Sequence, residues 1–308
     1  MRHVLIDTDP GIDDALALLL AWGSPEWTVD VVTVVAGNVS LEAGTRNALR
    51  LLELRRPSPP PLVASGAAQP LARPLRVAPY HGTDGLGDLL DWPDVKGSVA
   101  SSDAAGVIVE AARRYGPDLT IIALGPLTNL ARALERDAAA IGRAGRLVAM
   151  GGAVDVPGNV TPGAEFNAHV DPEALARVVD AGIPLDLVPL DATRQVVLER
   201  AALNAALARV PAAAADNIRR FTDFALRMDE KHGRRGMDLH DPLAVGVALD
   251  PSLVVWEPIR LAIGRDGETR RAEGAPNARF ARVVDAPRFL RLFQERLWPA
   301  RAGACPGY

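Results

Sequence analysis

The sequence predicts an α/β protein with an open, mostly parallel central sheet flanked by helices, a Rossmann-like core. Three observations carry this. Short β-branched runs alternate with longer Ala/Leu-rich segments of helical period along the chain, as expected where parallel strands are joined by crossover helices. Polar, glycine-rich turns follow several of the strand candidates. No internal repeat and no low-complexity linker separates two halves, so the 308 residues are expected to form a single domain.

Strands are expected at Val4–Ile6, Thr28–Val35, Leu119–Leu124, Leu147–Met150, Leu185–Pro189 and Leu253–Ile259, each a short run rich in Val, Ile or Leu. The spacing predicts helices over Asp14–Trp22, Leu41–Leu54, Ala104–Arg114, Asn129–Arg136, Pro172–Ala181 and Ala215–Met228. Asp171-Pro172-Glu173 opens one of them with a capping aspartate and proline at the first helical position. The Pro-rich stretch Arg56-Pro57-Ser58-Pro59-Pro60-Pro61 runs into apolar Leu62-Val63-Ala64 and reads as a surface connection to the next strand.

Composition narrows the function classes. Hydrophobic residues make up 48% and charged ones 23% of the chain, ordinary for a globular protein. A net charge of −4 gives no basic surface for nucleic acid. The longest apolar run, Ala15 to Trp22, is too short to span a bilayer. Carboxylates follow Met1 too soon for a signal peptide. A single cysteine, Cys305, allows no intrachain disulfide and fits a reducing, cytoplasmic compartment.

The polar turns fall in a pattern. Asp7-Thr8-Asp9 follows the first strand, Gly37-Asn38 the second, Gly125-Pro126-Leu127-Thr128-Asn129 a third and Met150-Gly151-Gly152 a fourth. Ligands of open α/β sheets bind outside the carboxyl ends of the strands, so these turns are expected to share one rim. Asp7, Asp9, Asp13 and Asp14 stand within eight residues there. Helix capping accounts for one or two of them. Four together repel one another and raise each other's pKa, a cost that a hard cation removes. Oxygen-only donors suit Ca²⁺ or Mg²⁺, and no nearby His/Cys pair has zinc spacing. An EF-hand is excluded, because Ile12 stands where that loop needs glycine.

An Asp-x-Asp after an apolar strand also opens the haloacid-dehalogenase phosphatases, where the first aspartate is a nucleophile. That chemistry needs a lysine beside the phosphoryl group. Neither Lys96 nor Lys231, the two lysines of the chain, follows a strand.

Two further segments carry chemistry. Gly158-Asn159 through Glu165-Phe166-Asn167 offers groups for the vicinal hydroxyls of a ribose, or else an Asx-rich turn satisfying its own backbone. Met237-Asp238-Leu239-His240-Asp241-Pro242 sets a histidine beside a carboxylate ahead of a helix.

In family order, the segments at 7–15, 36–38, 81–87, 125–130, 150–152, 158–167, 171–174 and 240–242 together resemble the inosine-uridine-preferring nucleoside hydrolase family. The resemblance implies that family's fold and calcium-dependent hydrolysis of ribonucleosides to free base and ribose. Carried onto matching positions, it implies Ca²⁺ held by Asp9, Asp14, the Thr128 carbonyl and Asp241, with Asp7 orienting these ligands from behind. It implies that Asp13, Asn159, Glu165, Asn167 and Asp241 hold the ribose, and that Asn38, His81 and Met150 line the pocket. Asp9 is then the base that accepts a proton from the attacking water, and His240 assists the leaving nucleobase. The partner is a ribonucleoside, and assembly as a homodimer or homotetramer is expected.

Residues 221–237 are expected to form a helix and lid over the base. Ala225, Asp229 and Gly233 occupy the positions matched to a pyrimidine-reading Thr, Gln and Tyr, so base preference is expected to be broad, with a pyrimidine-preferring enzyme as the alternative. Asp229-Glu230-Lys231-His232 reads as a solvated charged face, Asp229 and His232 being optional contacts to the base. His169 reads as structural packing, and Arg279 as a surface or subunit-contact residue. A non-catalytic nucleoside-binding protein is the remaining class, disfavoured by the intact Asp9, Asp14 and His240-Asp241 set.

Overall fold

A computed structural model describes residues 2–89 and 91–299; Cys305 lies outside the described residues. Six parallel strands, β1 (Arg2–Thr8), β2 (Trp27–Val34), β3 (Leu62–Ser65), β4 (Leu119–Ala123), β5 (Arg146–Met150) and β6 (Leu185–Val188), form most of the central sheet. A short antiparallel ladder pairs β7 (Val197–Leu198) with β8 (Met237–Asp238). Strand β9 (Val254–Ile259) closes one edge, β10 (Leu261–Ile263) and β11 (Thr269–Arg271) make a small hairpin, and β12 (Ala278–Val284) runs between β6 and β9. The sheet order is β3-β2-β1-β4-β5-β6-β12-β9. The chain reverses direction across the sheet between β1 and β4, which is where a parallel sheet opens its ligand crevice.

The alternation of side chains explains the two layers. Val4 and Ile6 of β1 enter one core and Leu5 the other; Ile122 of β4 joins the first, Leu119, Ile121 and Ala123 the second. The helices are α1 (Ile12–Trp22), α2 (Leu41–Arg55), α3 (Ala104–Tyr115), α4 (Thr128–Ile141), α5 (Phe166–Val170), α6 (Pro172–Asp180), α7 (Leu190–Thr193), α8 (Arg200–Leu207), α9 (Ala212–Lys231), α10 (His240–Leu249) and α11 (Ala286–Arg296). Of these α3, α4 and α6 cover the second face, while α1 and α8 to α11 cover the first. Helices α1 and α10 are apolar nearly all round and buried throughout most of their length, as helices walled by neighbours on every side must be. Among the described residues no helix is long and apolar enough to cross a membrane.

The expected strands and helices all form, within a few residues of the expected ends. The C-terminal part beyond β9 was not expected from the sequence. Strand β12 interleaves Arg279 and Arg282 with buried Phe280 and Ala281, so no continuous apolar run marks it. Arg279 is exposed, as expected, and is also paired with Asp186 of β6, whose other carboxylate oxygen accepts from Arg146 Nε at 2.7 Å. Trp256 lies against both guanidinium groups, 4.8 and 5.8 Å from its ring. Asp186 is 7% exposed. Replacing it by alanine leaves Arg146 facing another cation without a counter-ion and is expected to cost about 3 kcal/mol of stability. Because the pair lies away from the acidic rim, kcat should be unchanged, which urea denaturation and an activity assay on the same sample would check.

Candidate active site

The acidic rim forms because α1 starts immediately beyond β1. Asp14 turns back as its cap: Oδ2 accepts from the Gly11 N–H at 3.0 Å, and Oδ1 accepts from the Thr8 hydroxyl at 2.5 Å. Asn38, in the turn after β2, donates its amide to Asp14 Oδ2 at 3.0 Å and its backbone N–H to Asp9 Oδ2 at 2.7 Å. Asp7 lies deeper, its Oδ1 accepting from Thr33 Oγ1 at 2.6 Å and Asn129 Nδ2 at 2.8 Å.

Close approach of the backbone makes room for Asp9. A Cβ on Gly37 would stand 2.1 Å from Asp9 Oδ2, and one on Gly125 would stand 2.5 Å from Oδ1. Neither could be accommodated without moving the carboxylate, so these turns need glycine for space. Asp9 is fully buried, yet its Oδ1 has no hydrogen-bond partner, and neither does Asp7 Oδ2. Buried polar atoms are nearly always paired, so two orphaned carboxylate oxygens at one rim call for a positive group.

The start of α10 brings Asp241 to the same place. Carboxylate oxygens of Asp13, Asp14 and Asp241 lie within 4.8 Å of one another, all three buried. Burial, followed by repulsion from Asp14, pushes Asp13 up to about 7. Burial and the charges of Asp13, Asp14 and Asp9 hold Asp241 well above the usual carboxylate range, and burial with the charge of Asp14 does the same to Asp9. Burial also lifts Asp7 to about 7, despite its two hydrogen bonds. Such a set is compensated by a cation with oxygen ligands, and the residues present fit one.

Of the expected metal ligands, Asp14 and Asp241 belong to this cluster together with Asp13, which was expected on the sugar. Asp9 lies outside that trio but near enough for its charge to act on Asp241. Thr128 begins α4, with its hydroxyl donating to Asp171 Oδ2 at 2.6 Å.

A cavity of about 490 Å³ opens over the cluster, with Asp13 and Asp241 in its lining, a size suited to a small organic ligand. Asn38, His81, Met150, Asn159, Glu165 and Asn167 also line it. Glu165 caps α5: Oε1 accepts from the Asn167 N–H at 2.9 Å, and Oε2 from Gly152 and Ala168 N–H groups at 2.9 and 3.1 Å. These bonds hold its charge against burial, which raises its pKa. Asn167 donates to the Leu124 carbonyl at 2.6 Å, so its oxygen faces the remaining space.

Burial keeps His81 and His240 neutral at pH 7. Burial pushes His81 down to about 4, and its Nδ1 accepts from the Ile12 N–H at 3.1 Å, so the ring proton sits on Nε2. His240 is pushed down to about 3 by burial and by Arg194 and Arg234, and its Nδ1 meets Thr193 Oγ1 at 2.7 Å.

Arg234 and Met237, within the expected lid segment, do line the cavity, whereas Tyr80, Val77 and Phe166 had no signal of their own in the sequence. Tyr80 adjoins His81 and Phe166 lies inside the Asn-Glu-Asn segment, so adjacency was the available hint. His169, read as packing, stands at the cavity lining with Nδ1 against the Asp266 carbonyl at 2.9 Å. Asp229, read as part of a solvated face, is 2% exposed and accepts from the Tyr80 hydroxyl. Its neighbour His232 folds back on the Met228 carbonyl at 2.7 Å and does not line the cavity. Lys96 and Lys231 are also absent from the lining, which leaves the phosphatase chemistry without its cation.

Residues 4–291 match the family model described as inosine-uridine preferring nucleoside hydrolase. The chain is 35% identical to a pyrimidine-specific ribonucleoside hydrolase RihA of Salmonella agona, with 96% of this chain and 97% of that protein covered. It is also 35% identical to the non-specific ribonucleoside hydrolase RihC of the same organism, with 98% of each covered. Among solved structures, a purine-preferring ribonucleoside hydrolase from Gardnerella vaginalis superposes with a TM-score of 0.91 at 33% identity, covering 96% of this chain and 98% of that one. With likeness of this extent on an acidic, sugar-sized cavity, the chain belongs to the inosine-uridine preferring nucleoside hydrolase family and is a ribonucleoside hydrolase.

Proposed function

We propose that this single catalytic domain hydrolyses the N-glycosidic bond of ribonucleosides in a Ca²⁺-dependent reaction, releasing free base and ribose, with a broad base range. The observation that carries the reading is the convergence of Asp13, Asp14 and Asp241 within 4.8 Å at the floor of a cavity that Asn and Glu side chains also line. Oxygen donors alone, buried and adjustable in number, favour Ca²⁺ over metals that take nitrogen or sulfur. Asp9, Asp14, Asp241 and the Thr128 carbonyl would hold the ion, with Asp13 shared between ion and sugar. When bound, such an ion supplies charge to the carboxylates and lowers the pKa of a water it holds.

The chain's own groups do the rest. Asp9 is fixed through Oδ2 by the Asn38 N–H, which leaves Oδ1 to take the proton of the attacking water. Asp13, Asn159, Glu165 and Asn167 hold the sugar hydroxyls. As the C–N bond lengthens, positive charge develops on the sugar, and the surrounding carboxylates and amide oxygens stabilise it. A Thr193 hydroxyl donating to His240 Nδ1 leaves the ring proton on Nε2, where the neutral imidazole donates a hydrogen bond to the departing base and stabilises the charge building on it. His240→Ala is expected to slow cleavage of inosine and uridine by at least tenfold, about the lower end of general acid–base contributions; a smaller loss would remove His240 from the mechanism.

Supporting a broad base range, Tyr80, Val77, Phe166 and Met237 present mainly apolar surface to the cavity, and the pyrimidine-reading side chains are replaced by Ala225, Asp229 and Gly233. The likeness to pyrimidine-specific RihA supports the pyrimidine-preferring alternative. A panel of purine and pyrimidine ribonucleosides, assayed for free base with and without chelator, tests the proposal. We expect turnover of both classes, abolished by chelation and restored by Ca²⁺. Activity that survives chelation would refute the metal requirement, and uridine and cytidine as sole substrates would establish the alternative. We further expect a homodimeric or homotetrameric enzyme of the cytoplasm. The exposed Val255 and Val283, paired across β9 and β12, support a subunit contact there.

A further inference from the structure

Asp229, in the last turn of α9, is buried without belonging to the acidic cluster and without lining the cavity. A carboxylate so buried needs partners, and it has two. The Tyr80 hydroxyl donates to Oδ2 at 2.5 Å, and Arg234 Nη1 lies 3.6 Å from Oδ1. Arg234 reaches on to Asp238 Oδ2 at 3.0 Å. The Asp229 carbonyl accepts from the His232 and Arg234 N–H groups, each at 2.9 Å, which folds the loop after α9 back over the helix end. Tyr80, Arg234 and Asp238 all line the cavity beside His240.

The same helix is keyed to the segment carrying Tyr80 at three other points. Phe224 packs so closely on Gly87 that a Cβ there would stand 2.7 Å from its own. Phe221 stacks on Trp92 at 6.5 Å, and Arg220 pairs with Asp91. Of the four contacts, the Tyr80–Asp229 hydrogen bond is the one made by a cavity-lining side chain. It also consumes the polar end of Tyr80, so that the ring, set edge-on to His81 at 5.3 Å, offers the cavity carbon rather than a hydroxyl.

We propose that Asp229 is a positioning residue for the nucleobase: by holding the Tyr80 hydroxyl it fixes that ring as the wall of the base subsite and seats the following loop across its mouth. The base is then selected by shape and contact area, without a hydrogen bond from α9. This rests on assigning the acidic end of the cavity to the ribose.

The test uses Tyr80→Phe, Asp229→Ala, Asp229→Asn and the double variant Tyr80→Phe/Asp229→Ala of the full chain, with inosine and uridine as substrates and free ribose as a competitive inhibitor. Loss of base binding that is equal in ground and transition states raises KM and spares kcat. Tyr80→Phe and Asp229→Ala should each raise KM for both substrates about tenfold, as for a lost buried hydrogen bond to a charged group, and leave kcat within about threefold. Asp229→Asn keeps an oxygen that accepts from Tyr80 and should recover most of the loss. The double variant should be no worse than Asp229→Ala, since both remove one interaction. The ribose inhibition constant should stay at its parental value.

An inosine-to-uridine ratio that shifts by more than about tenfold would mean that Asp229 reads the base itself and would overturn the proposal. A ribose constant that weakens in step with KM would overturn it too, by showing general damage to the site. Unchanged KM with ribose inhibition intact overturns this proposal alone. Ribose that fails to inhibit the parent enzyme overturns the sugar assignment, and this inference with it.

Discussion

Asp9→Asn is expected to lower kcat by about 10²- to 10⁴-fold, the usual contribution of a positioned general base, while leaving the metal-free protein as stable as before or more so. The two halves of this expectation come from one fact. Asp9 is completely buried with Oδ2 bonded to the Asn38 N–H and Oδ1 bonded to nothing. Asparagine has the same outline, so it fits the space left by Gly37 and Gly125. Its amide cannot take a proton from water, hence the loss of rate. It also carries no charge, so it relieves repulsion from Asp14 and the cost of burying an ion, the two largest causes of the raised Asp9 pKa. Turnover of inosine at saturating Ca²⁺, with thermal unfolding in chelator, separates these effects. A variant retaining more than about a tenth of wild-type kcat with the ion still bound would rule out Asp9 as the base. A variant that is slow but also markedly less stable would mean that Asp9 is structural.

Much of the fold was legible because it depends on local pattern. Leu119–Ala123 is buried at every position, and a strand covered on both faces shows itself as an unbroken apolar run. The rim was legible because the end of a strand and the start of a helix are adjacent in sequence. Long-range relations were harder. Which carboxylates converge depends on how α10 meets α1, and nothing local to either segment says that Asp13 rather than Asp9 would stand nearest Asp241. Glu165 was read as a sugar ligand, and its second task, capping α5 and accepting from the Gly152 N–H, depends on a loop contact that the sequence does not display. Asp229 looked solvated because Glu230, Lys231 and His232 beside it are exposed. Its burial comes from Tyr80, far along the chain. Strand β12 was hidden by its arginines, one of which, Arg279, is accommodated by pairing with Asp186 of the neighbouring strand. The motif resemblance supplied the convergence of Asp241 with the N-terminal cluster, which composition and periodicity could not.

The metal-free protein should lose stability as pH rises from about 5 to 8, and Ca²⁺ should restore it. The sign follows from the direction of the shifts. Asp7 and Asp13 titrate near 7 in the folded chain, against an ordinary value of 3.8, so between these values the folded state binds protons that the unfolded state has released. Stability linked to such groups is complete below the unfolded value and is lost as pH climbs through the folded one. Asp9 and Asp241 move in the same direction, and the loss therefore continues above pH 7. Surface carboxylates paired with arginine, such as Asp103 with Arg136 and Asp155 with Arg271, are held below their usual range. They act with opposite sign and only as pH falls towards 4 and below, and being exposed they act weakly. Buried His81 and His240, held below their ordinary value of 6.5, also oppose the trend as pH falls below that value; four carboxylates outweigh two imidazoles, and thermal stability in chelator should peak near pH 5. Ca²⁺ binds the ionised cluster, so its stabilisation should be small at pH 5 and large at pH 8, reaching about 4 kcal/mol once the free ion exceeds its dissociation constant a thousandfold. Melting curves at these two pH values, with chelator and with Ca²⁺, give four midpoints. Equal gains from Ca²⁺ at both would show that the acidic cluster does not hold the ion, and a chelated protein that melts higher at pH 8 than at pH 5 would show that these carboxylates are not protonated in the empty site. The expected pattern would tie the burial of uncompensated charge, which the fold sustains at measurable cost in stability, to the one function that needs it.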